Sequence, residues 1–540
     1  MKLAGKMMFV VTLWSLLTAA SIASQLVNDA AIFPGNAPVV TQLFDFVYDG
    51  IGTSGYSHGK NLYSELIQGA DGNFYGTTLN GGDSGCSDGF GIEGCGTIFK
   101  ITPAGVQTVL FNFPYDANTN TAVDGIYPTG GLVQGKDGNF YGTASAGGNA
   151  SFGGNGCILG CGTIFKITPS GQFTLLHQFT GVGGVPAEGA SPTARLILGS
   201  DGKFYGTTNT GGSIRYGVSN MGTIFAITPS GAFTTLHTFD TVDGLDGANP
   251  YDGLVQGKDG NFYGTTYFGG TDGVGTVFRM TKAGVISILH SFVQPSHLVF
   301  PDGAYPLAAL VQASDGNFYG ATSTGGQAVG SNGTAFRISA QGSFTKLDDF
   351  DPTTTSSYPQ GGMIQASDGN LYGTTVNGGP SDCFCGNVYQ LTLSGTLSQL
   401  TSFEDVNNGR WPLSVPLQAA NGRMYITTSR GPSLTVHDGG GAVVQIDNGF
   451  PKPKPSILSF NPTSGKVGAS IAISGTNFIG AGKVTFNGTS ATFTVHATST
   501  ITAIVHPVPP AVRLKSPTLV ELPPARAHSP SCLRAMRSHS

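Results

Sequence analysis

Charged residues are scarce in this sequence. Asp, Glu, Lys and Arg make up 11% of its 540 residues, whereas an ordinary globular domain contains roughly 25%. Lys and Arg are scattered along the chain and the formal net charge is -5, so the sequence lacks the basic stripe that follows a phosphate backbone. We therefore predict that nucleic acid is not a partner.

The sequence also lacks the periodic patterns of long helices. It contains 83 glycines instead, and abundant glycine with little charge is typical of short strands joined by many tight turns. A chain of 540 residues is too long for one compact core. We therefore expect an all-β protein that is divided into several domains or repeats.

Only one long apolar run is present, and it lies at the N-terminus. Lys2 and Lys6 precede the run from Met7 to Ala20, and Ser21-Ile22-Ala23 offers small residues for cleavage. We interpret residues 1–23 as a signal peptide, which predicts a secreted or extracellular surface protein with no membrane span in the mature chain. A single membrane anchor is the alternative, but the run is shorter than the roughly 18–20 residues that span a bilayer.

One unit recurs along the chain and is marked by the motif Asp-Gly-Asn-Phe-Tyr-Gly. Because Asp and Gly suit two-residue hairpin turns, we interpret the motif as a turn, with a calcium-binding loop as the alternative. The spacing between copies suits the four strands of a propeller blade. The copies begin at Asp71, Asp137, Asp201, Asp259, Asp315, Asp368 and, in a worn form, Asn421.

The second strand of each unit carries neighbouring large side chains, such as Phe262 and Tyr263. Neighbouring residues face opposite sides of a strand, so both faces of the sheet must be buried, as they are between stacked blades. The seventh unit lacks a fourth strand, whereas Val39–Phe46 resembles the fourth strands and precedes the first unit. We therefore predict a seven-bladed β-propeller over residues 37–450, closed by an N-terminal strand.

The repeat resembles that of a known family. Gly131–Gly142 and Gly222–Gly231 read Gly-Leu-Val-Gln-Gly-Lys-Asp-Gly-Asn-Phe-Tyr-Gly and Gly-Thr-Ile-Phe-Ala-Ile-Thr-Pro-Ser-Gly, and both are similar to the GloVer tandem repeat of exported bacterial proteins. The resemblance covers about residues 39–447. It implies bacterial export and a surface or extracellular role, but no particular chemistry.

A second resemblance begins after residues 451–455, a Pro/Lys sequence that we interpret as a stiff linker. Pro462–Gly468, Ile471–Phe478 and Val484–Gly488 resemble an IPT/TIG domain. This resemblance implies a small immunoglobulin-like β-sandwich over residues 456–510 that acts as a spacer or adhesion module. The match stops near Pro507, so we predict an incomplete sandwich and an aberrant or disordered tail over residues 511–540, from truncation or a shifted reading frame.

The long, variable connections are expected on one face of the propeller, because connections alternate between the two ends of a four-stranded antiparallel sheet. We call this the loop face. Six of the seven cysteines lie in its second-to-third loops, and in an exported chain they predict local disulfides rather than a zinc site. The predicted pairs are Cys86–Cys95, Cys157–Cys161 and, with strained geometry, Cys383–Cys385.

Acids and aromatic residues recur just before the first strands, as in Asp302-Gly-Ala-Tyr-Pro306. Because first strands line the channel of a propeller, we expect these side chains at the channel rim, where they would suit a carbohydrate or a cation. Turn formation by Asp-Gly and packing by Tyr-Pro are the alternative explanation. The candidate ligand-binding residues are Asp124, Tyr127, Glu188, Asp246, Asp302, Tyr305, Tyr358 and Trp411.

Catalytic patterns are few. The sequence contains no Gly-x-Ser-x-Gly, phosphate loop or His-Glu-x-x-His motif. His177, His237 and His290 share one position in successive fourth strands, which lie far apart in a propeller, so we expect structural roles for them. We predict no catalytic residue, no metal site and no cofactor, apart from the calcium alternative.

Three functions fit these features. The first is an exported, monomeric, non-catalytic binding or surface-display protein whose loop face binds a glycan or a cell-surface protein. The second is a carbohydrate-active enzyme, a lyase or hydrolase, with paired acids such as Asp243 and Asp246 at the channel mouth. The third is a purely structural repeat protein. Clustered carboxylates at the channel would favour the enzyme, and an exposed aromatic platform would favour the binding protein.

Overall fold

In the part of the chain that the computed structural model describes, regular secondary structure is almost entirely β-strand, apart from a short 3-10 helix at Phe478–Gly480. The residues that it describes are 37–50, 56–82, 86, 94–116, 121–148, 157, 160–180, 187–212, 221–239, 244–296, 300–326, 332–351, 357–378, 384–404, 408–431, 440–462, 468–486, 489–506 and 518–521.

The strands of the repeat region are β1 (Val39–Asp45), β2 (Ile67–Gln68), β3 (Phe74–Thr78), β4 (Thr97–Ile101), β5 (Gln107–Asn112), β6 (Ala122–Ile126), β7 (Val133–Gln134), β8 (Phe140–Ala144), β9 (Ala146–Gly148), β10 (Thr163–Ile167), β11 (Phe173–Gln178), β12 (Ile197–Leu198), β13 (Phe204–Thr208), β14 (Thr223–Ile227), β15 (Phe233–Thr238), β16 (Val255–Gln256), β17 (Phe262–Thr266), β18 (Thr276–Met280), β19 (Ile286–Ser291), β20 (Val311–Gln312), β21 (Phe318–Ala321), β22 (Thr334–Ile338), β23 (Phe344–Asp349), β24 (Ile364–Gln365), β25 (Leu371–Thr375), β26 (Asn387–Leu391), β27 (Leu397–Ser402), β28 (Leu417–Gln418), β29 (Met424–Thr428) and β30 (Ala442–Asp447). The C-terminal strands are β31 (Ser456–Asn461), β32 (Ser470–Thr476), β33 (Ala481–Phe486), β34 (Thr489–Ala497), β35 (Thr500–Ile504) and β36 (Thr518–Glu521).

The described strands of the repeat region form seven four-stranded antiparallel sheets. Numbered along the chain, they are sheet 1 (β2–β5), sheet 2 (β7, β8, β10, β11), sheet 3 (β12–β15), sheet 4 (β16–β19), sheet 5 (β20–β23), sheet 6 (β24–β27) and sheet 7 (β28, β29, β30, β1). Strands β6 and β9 form a separate two-stranded ribbon. Each repeat thus contributes one sheet, with its strands in chain order except in sheet 7.

The Asp-Gly motif forms the turn between the first and second strands, as the sequence predicted. In sheet 1, Asp71 Oδ1 accepts a hydrogen bond from the Asn73 backbone N–H at 3.1 Å, and Oδ2 accepts one from the Tyr75 hydroxyl at 2.7 Å. Gly72 supplies the positive φ, 82°, that the turn requires. The two carboxylate oxygens that a calcium-binding loop would offer are therefore engaged within the turn.

The second strands carry the core of the repeat region. Phe74 and Tyr75 face opposite sides of β3, and both are fully buried. The Tyr75 ring stacks on Phe140 of sheet 2, with 4.0 Å between ring centroids, and Tyr425 of sheet 7 lies 4.2 Å from Phe74. Equivalent contacts join Tyr141 to Phe204, Tyr205 to Phe262 and Tyr263 to Phe318. The prediction that both faces of these strands are buried is confirmed.

In every sheet except sheet 3, a glutamine at the end of the first strand links the sheet to the preceding one. Gln134 Nε2 donates to the Gly138 carbonyl of its own turn at 2.9 Å, and its Oε1 accepts from the Ala70 N–H of sheet 1 at 3.1 Å. Gln68 of sheet 1 accepts from the Ala420 N–H of sheet 7 at 2.9 Å. We call this contact the glutamine link. It is also made by Gln256, Gln312, Gln365 and Gln418.

Strand β1 completes sheet 7 as its outer strand. It runs antiparallel to β30, with Val39 opposite Asp447 and Asp45 opposite Ala442. The predicted pairing of the N-terminal strand with the last repeat is confirmed. Sheet 7 therefore joins residues from the two ends of the repeat region.

The C-terminal strands form a separate six-stranded sheet in the order β31-β32-β35-β34-β33-β36. Its own core includes Ile471, Ile473 and Phe478. Strand β36 lies at one edge and pairs with β33, although the sequence predicted no strand after residue 511. The apolar, β-branched character of Thr518–Glu521 extends over only four residues between prolines, so the sequence pattern missed it.

Candidate functional site

Two of the predicted disulfides stiffen the loop face. The bonds Cys86–Cys95 and Cys157–Cys161 are both formed, with 5.2 Å and 5.1 Å between their Cα atoms. Cys385 is also disulfide-bonded, and its predicted partner Cys383 lies outside the described residues. The loops that connect second and third strands are therefore covalently restrained in sheets 1 and 2.

In each repeat, one residue of the segment that precedes the first strand has a left-handed backbone, with φ between 54° and 58°. In sheet 5, the Tyr305 N–H donates to the Val274 carbonyl of the preceding sheet at 2.9 Å, and the Tyr305 carbonyl accepts from the Ser323 N–H at 3.2 Å. This conformation is unfavourable for large side chains, so the hydrogen bonds between sheets must hold it. The seven residues are Asn61, Tyr127, Ser191, Asn249, Tyr305, Tyr358 and Trp411.

Three of the predicted acids pair with the histidines of the outer strands. The nitrogen-to-oxygen distances are 3.3 Å for His177 and Glu188, 3.1 Å for His237 and Asp246, and 2.8 Å for His290 and Asp302. The structure thus places these acids beside the outer strands instead of at the expected channel rim. The fourth acid, Asp124, is partly buried, and burial raises its pKa.

Two of the three histidines also stack between sheets. The His177 ring lies 4.0 Å from Phe233 of sheet 3, and the His290 ring lies 3.7 Å from Phe344 of sheet 5, each nearly parallel to its partner. Burial lowers the pKa of His177 despite the opposing charge of Glu188. These contacts fit the structural role that the sequence predicted for the histidines.

A cavity of about 210 Å³ lies where the seven first strands approach one another. Its lining comes from all seven repeats and consists of residues two to four positions after each left-handed residue. We call it the channel cavity. None of the eight ligand-binding residues that the sequence predicted belongs to this lining.

Three charged residues line the channel cavity: Glu65, Arg195 and Asp252. Arg195 Nε donates to Glu65 Oε1 at 2.8 Å. Asp252 accepts two backbone hydrogen bonds, from the Gly253 N–H at 2.6 Å and the Ala309 N–H at 2.7 Å. Burial, followed by the negative charge of Glu65, raises the pKa of Asp252 to about 6, against the lowering effect of the two N–H groups and Arg195.

These three charges are not among the site residues predicted from the sequence. Each interrupts the repeat at a position where the other copies have Gly, Ala, Ser or Val. Averaging over the repeats hides such departures, whereas a position-by-position comparison of the copies would have revealed them. The useful signal was therefore a difference between repeats, not their common motif.

Four aromatic side chains cluster on the loop face between sheets 4 and 5, and we call this cluster the aromatic patch. It comprises Tyr251, Tyr267, Phe268 and Tyr305. The Tyr267 ring centroid lies 4.5 Å from that of Phe268, 5.1 Å from Tyr305 and 6.2 Å from Tyr251. Tyr251 and Phe268 are 46% and 45% exposed, and Tyr251 also lines the channel cavity. The patch therefore begins at the cavity and extends outward.

The other predicted aromatic residues lie apart from the patch. Trp411 has the guanidinium groups of Arg410 and Arg430 at 5.1 Å and 5.6 Å from its ring. Tyr358 is exposed in sheet 6, and Tyr127 packs against the core of sheets 1 and 2. Of the eight candidates, only Tyr305 belongs to the aromatic patch, and Asp243, named for the enzyme alternative, lies outside the described residues.

Within the described ranges, no helix has the length and apolar character needed to cross a membrane. The same part of the chain holds no group of three or more His, Cys, Asp or Glu residues that is placed to bind a metal ion.

Solved structures of several enzymes resemble this fold at low sequence identity. A fungal alcohol oxidase in complex with copper is 13% identical to this chain, with a TM-score of 0.46. The match covers 83% of this chain and 91% of the oxidase chain. An aldose sugar dehydrogenase from Streptomyces coelicolor, in its pyrroloquinoline-quinone-bound form, is 13% identical to this chain, with a TM-score of 0.34. The match covers 77% of this chain and 100% of the dehydrogenase chain. No curated protein matches the sequence.

A family model matches the chain in three overlapping segments. The Gloeobacter/Verrucomicrobia repeat matches residues 36–186, 91–306 and 295–496. The last of these matches extends into the C-terminal sheet. The family comparison gives no evidence for the IPT/TIG domain that the sequence resembles there. Together the matches span most of the chain and all seven four-stranded sheets, so this chain belongs to the Gloeobacter/Verrucomicrobia repeat family.

Proposed function

We propose that the seven sheets are the blades of a closed, seven-bladed β-propeller. The contacts of sheet 7 with sheet 1 support this proposal, because they repeat those between successive sheets. Besides the glutamine link, Thr427 Oγ1 donates to the Ser64 carbonyl at 2.9 Å, as Thr374 does to the Ser414 carbonyl at 3.0 Å. In this proposal residues 1–23 direct export, and the C-terminal sheet is an immunoglobulin-like spacer.

We propose that the protein is an exported, non-catalytic glycan-binding protein whose loop face holds the ligand. The observation that carries this proposal is the aromatic patch. The large side chains of the second strands are buried between sheets, whereas Tyr251 and Phe268 expose nearly half of their surface beside a cavity. Exposed aromatic faces offer a flat apolar surface with polar edges, which suits the stacking of a sugar ring.

The hydrogen bonds of the channel cavity argue against the enzyme alternative. A general acid must present a proton to its substrate, but both oxygens of Asp252 already accept backbone N–H groups. Protonation of Asp252 would weaken both hydrogen bonds, because a neutral carboxyl group is a poorer acceptor than a carboxylate. Glu65, the other carboxylate, is held by Arg195 at 2.8 Å. Both carboxylates are therefore engaged with fixed partners, which does not favour the two free acids that glycoside hydrolysis requires.

A glycan array with the mature chain tests this proposal. We expect a saturable glycan ligand, and we expect Phe268→Ala to weaken its binding about tenfold, or ~1.4 kcal/mol, through loss of a stacking surface. Phe384→Ala is the matched control, because Phe384 is also an exposed phenylalanine, at 67%, beside the second-to-third loop of sheet 6. Its affinity should equal that of the wild type.

Two results would overturn the proposal. One is the absence of any glycan ligand for protein that thermal melting shows to be folded. The other is equal loss of binding in Phe268→Ala and Phe384→Ala, which would place the ligand away from the aromatic patch. Turnover of a bound glycan by the wild type would restore the enzyme alternative.

A further inference from the structure

We propose that the channel cavity is a second binding site, for the ammonium group of a small hydroxyl-bearing cation such as an amino sugar. Apart from Tyr251, which the two sites share, this site is independent of the aromatic patch. The inference therefore stands whether or not a neutral glycan binds at the patch.

The other repeats form the same four-stranded sheets without the three charges of the cavity. Glu65 and Arg195 occupy one position of the repeat, where the other five copies have Gly, Ala or Val. Asp252 occupies the position before it, where the other copies have Ser, Gly or Ala. Sheets with these small residues form the same four strands. In a chain with 11% charged residues, three charges in one cavity indicate a role other than support of the fold.

The charges of the cavity do not balance. Among the described residues, Arg195 is the cation that acts on Asp252, and it is already paired with Glu65 at 2.8 Å. A buried charge without a partner is costly, and a bound cation offsets this cost more strongly in the interior than in water. The cavity is therefore one positive charge short of neutrality when Asp252 is ionised.

The remaining lining suits an organic cation. Tyr63 and Tyr251 line the cavity and are 44% and 46% exposed, and tyrosine rings attract ammonium groups through their π faces. Thr129 also belongs to the lining, and its Oγ1 is a buried atom with no hydrogen-bond partner among the described residues. A ligand N–H or hydroxyl that reached this oxygen would supply the missing partner. The volume of about 210 Å³ is below the roughly 300–1,000 Å³ of drug-sized sites, so it fits about one sugar ring.

A divalent metal ion suits this cavity less well than an ammonium group. Calcium takes six to eight oxygen ligands, and carboxylates are the principal ones. Both oxygens of Asp252 accept N–H groups, and one oxygen of Glu65 holds the Arg195 guanidinium. That guanidinium would also repel a divalent charge more than a single one.

Titration calorimetry of the mature chain with glucosamine tests the proposal. Glucose is the neutral match of glucosamine, and ethylamine supplies the ammonium group without the hydroxyls. We expect glucosamine to bind at pH 7.5, ethylamine to bind more weakly, and glucose to bind at least about tenfold more weakly than glucosamine, since it lacks the charge that the carboxylates attract.

Two substitutions with the same change in charge separate a local effect from a general one. Asp252→Asn removes the unbalanced charge from the cavity, and we expect it to weaken glucosamine binding about tenfold or more. Glu188→Gln removes one negative charge from the outer pair with His177 and should leave the affinity unchanged. Glu65→Gln, which keeps both backbone hydrogen bonds of Asp252, provides a second cavity variant in case Asp252→Asn does not fold.

The pH dependence gives an independent check. Glu65 and Arg195 are the charged residues that face Asp252, and the pKa of Asp252 is raised to about 6. As the pH falls through this value, Asp252 becomes neutral and the attraction for a cation is lost. Glucosamine affinity, expressed per protonated ligand because the amine of glucosamine also titrates near neutral pH, should therefore fall from pH 7.5 to pH 5, and this fall should be absent in Asp252→Asn.

Several outcomes would overturn the proposal. They are failure of the folded wild type to bind glucosamine, equal binding of glucose and glucosamine, ethylamine as tight as glucosamine, and unchanged affinity in both cavity variants. Calcium that binds in place of glucosamine, with loss in the same variants, would assign the cavity to a metal ion instead. Phe268→Ala separates the two sites, because Phe268 belongs to the aromatic patch but does not line the cavity, and it should leave glucosamine binding at the cavity unchanged.

Discussion

At the scale of single residues, the left-handed position ahead of each first strand shows most clearly how the repeat tolerates strain. Asn occupies this position in two copies, Asn61 and Asn249, and Asn adopts a positive φ more readily than a large side chain does. Four other copies have Tyr or Trp in the same conformation. In those copies the surrounding structure must hold a backbone conformation that the residue itself disfavours.

Tyr358→Asn should stabilise the protein. Tyr358 is 37% exposed and has a φ of 58°, so little packing is lost while a strained residue is replaced by a tolerant one. The new side chain could also repeat the contact of Asn61 Nδ2 with Asn80 Oδ1 at 3.0 Å, because Asn377 occupies the matching place in sheet 6. We expect a gain of about 0.5–1 kcal/mol in the free energy of unfolding.

Chemical denaturation of the two proteins measures this difference. Tyr305→Asn is the comparison, since Tyr305 has the same φ within two degrees, 56°, but packs in the aromatic patch. It should gain nothing or lose stability. A loss of stability in Tyr358→Asn would mean that the tyrosine ring contributes packing that outweighs its backbone strain.

At the scale of structural elements, the glutamine link explains how such short first strands hold their position. The first strand of each sheet is only two residues long, and its glutamine bonds both its own turn and the neighbouring sheet. In sheet 3 the position is Leu198, which packs against the core of sheets 2 and 3 instead. The contact between neighbouring sheets at this position is therefore polar in the other sheets and apolar in sheet 3.

Gln312→Leu should destabilise the protein by about 1–3 kcal/mol, because it leaves the Lys258 N–H and the Gly316 carbonyl without their glutamine partners. The free energy of unfolding from a denaturant titration measures this cost. Leu198→Gln is the reciprocal variant and should cost less, because it exchanges apolar packing for a new link. Equal stability of Gln312→Leu and the wild type would show that the link adds no net stabilisation.

The elements were predictable from the sequence where a pattern recurred. The adjacent large residues Phe262 and Tyr263 correctly predicted strands buried on both faces, and the Asp-Gly motif correctly predicted the turns. The site was less predictable, because its parts occur once each. Asp252 and Arg195 interrupt the repeat, and Phe268 lies in a variable loop. The orientation of the Asp302 side chain depends on its contact with His290, which belongs to a different part of the sequence pattern.

At the scale of the whole molecule, sheet 7 depends on a strand from the opposite end of the repeat region. Strand β1 covers the edge of β30, and Val40 and Phe44 pack against the cores on either side. Phe46, just beyond the strand, is fully buried. An uncovered β30 would expose a row of backbone groups beside apolar side chains, which is a common route to aggregation.

Deletion of residues 39–46 should therefore lower the melting temperature and cause aggregation. Size-exclusion chromatography and thermal melting measure both effects. A synthetic peptide with the sequence of residues 37–47 should bind the truncated protein and reduce its aggregation, since it restores the missing strand. A soluble, monomeric product with the stability of the wild type would contradict the proposed closure.

The pairing of β1 with β30 also determines the order of events during synthesis. Roughly 400 residues separate the two strands, so at about 5–20 residues per second β30 is made on the order of tens of seconds after β1. Sheets 1 to 6 each use one contiguous stretch of chain and can form as they emerge. The first strand to be made is thus among the last to find its partner, and any factor that holds the nascent chain must protect β1 for the whole of that interval.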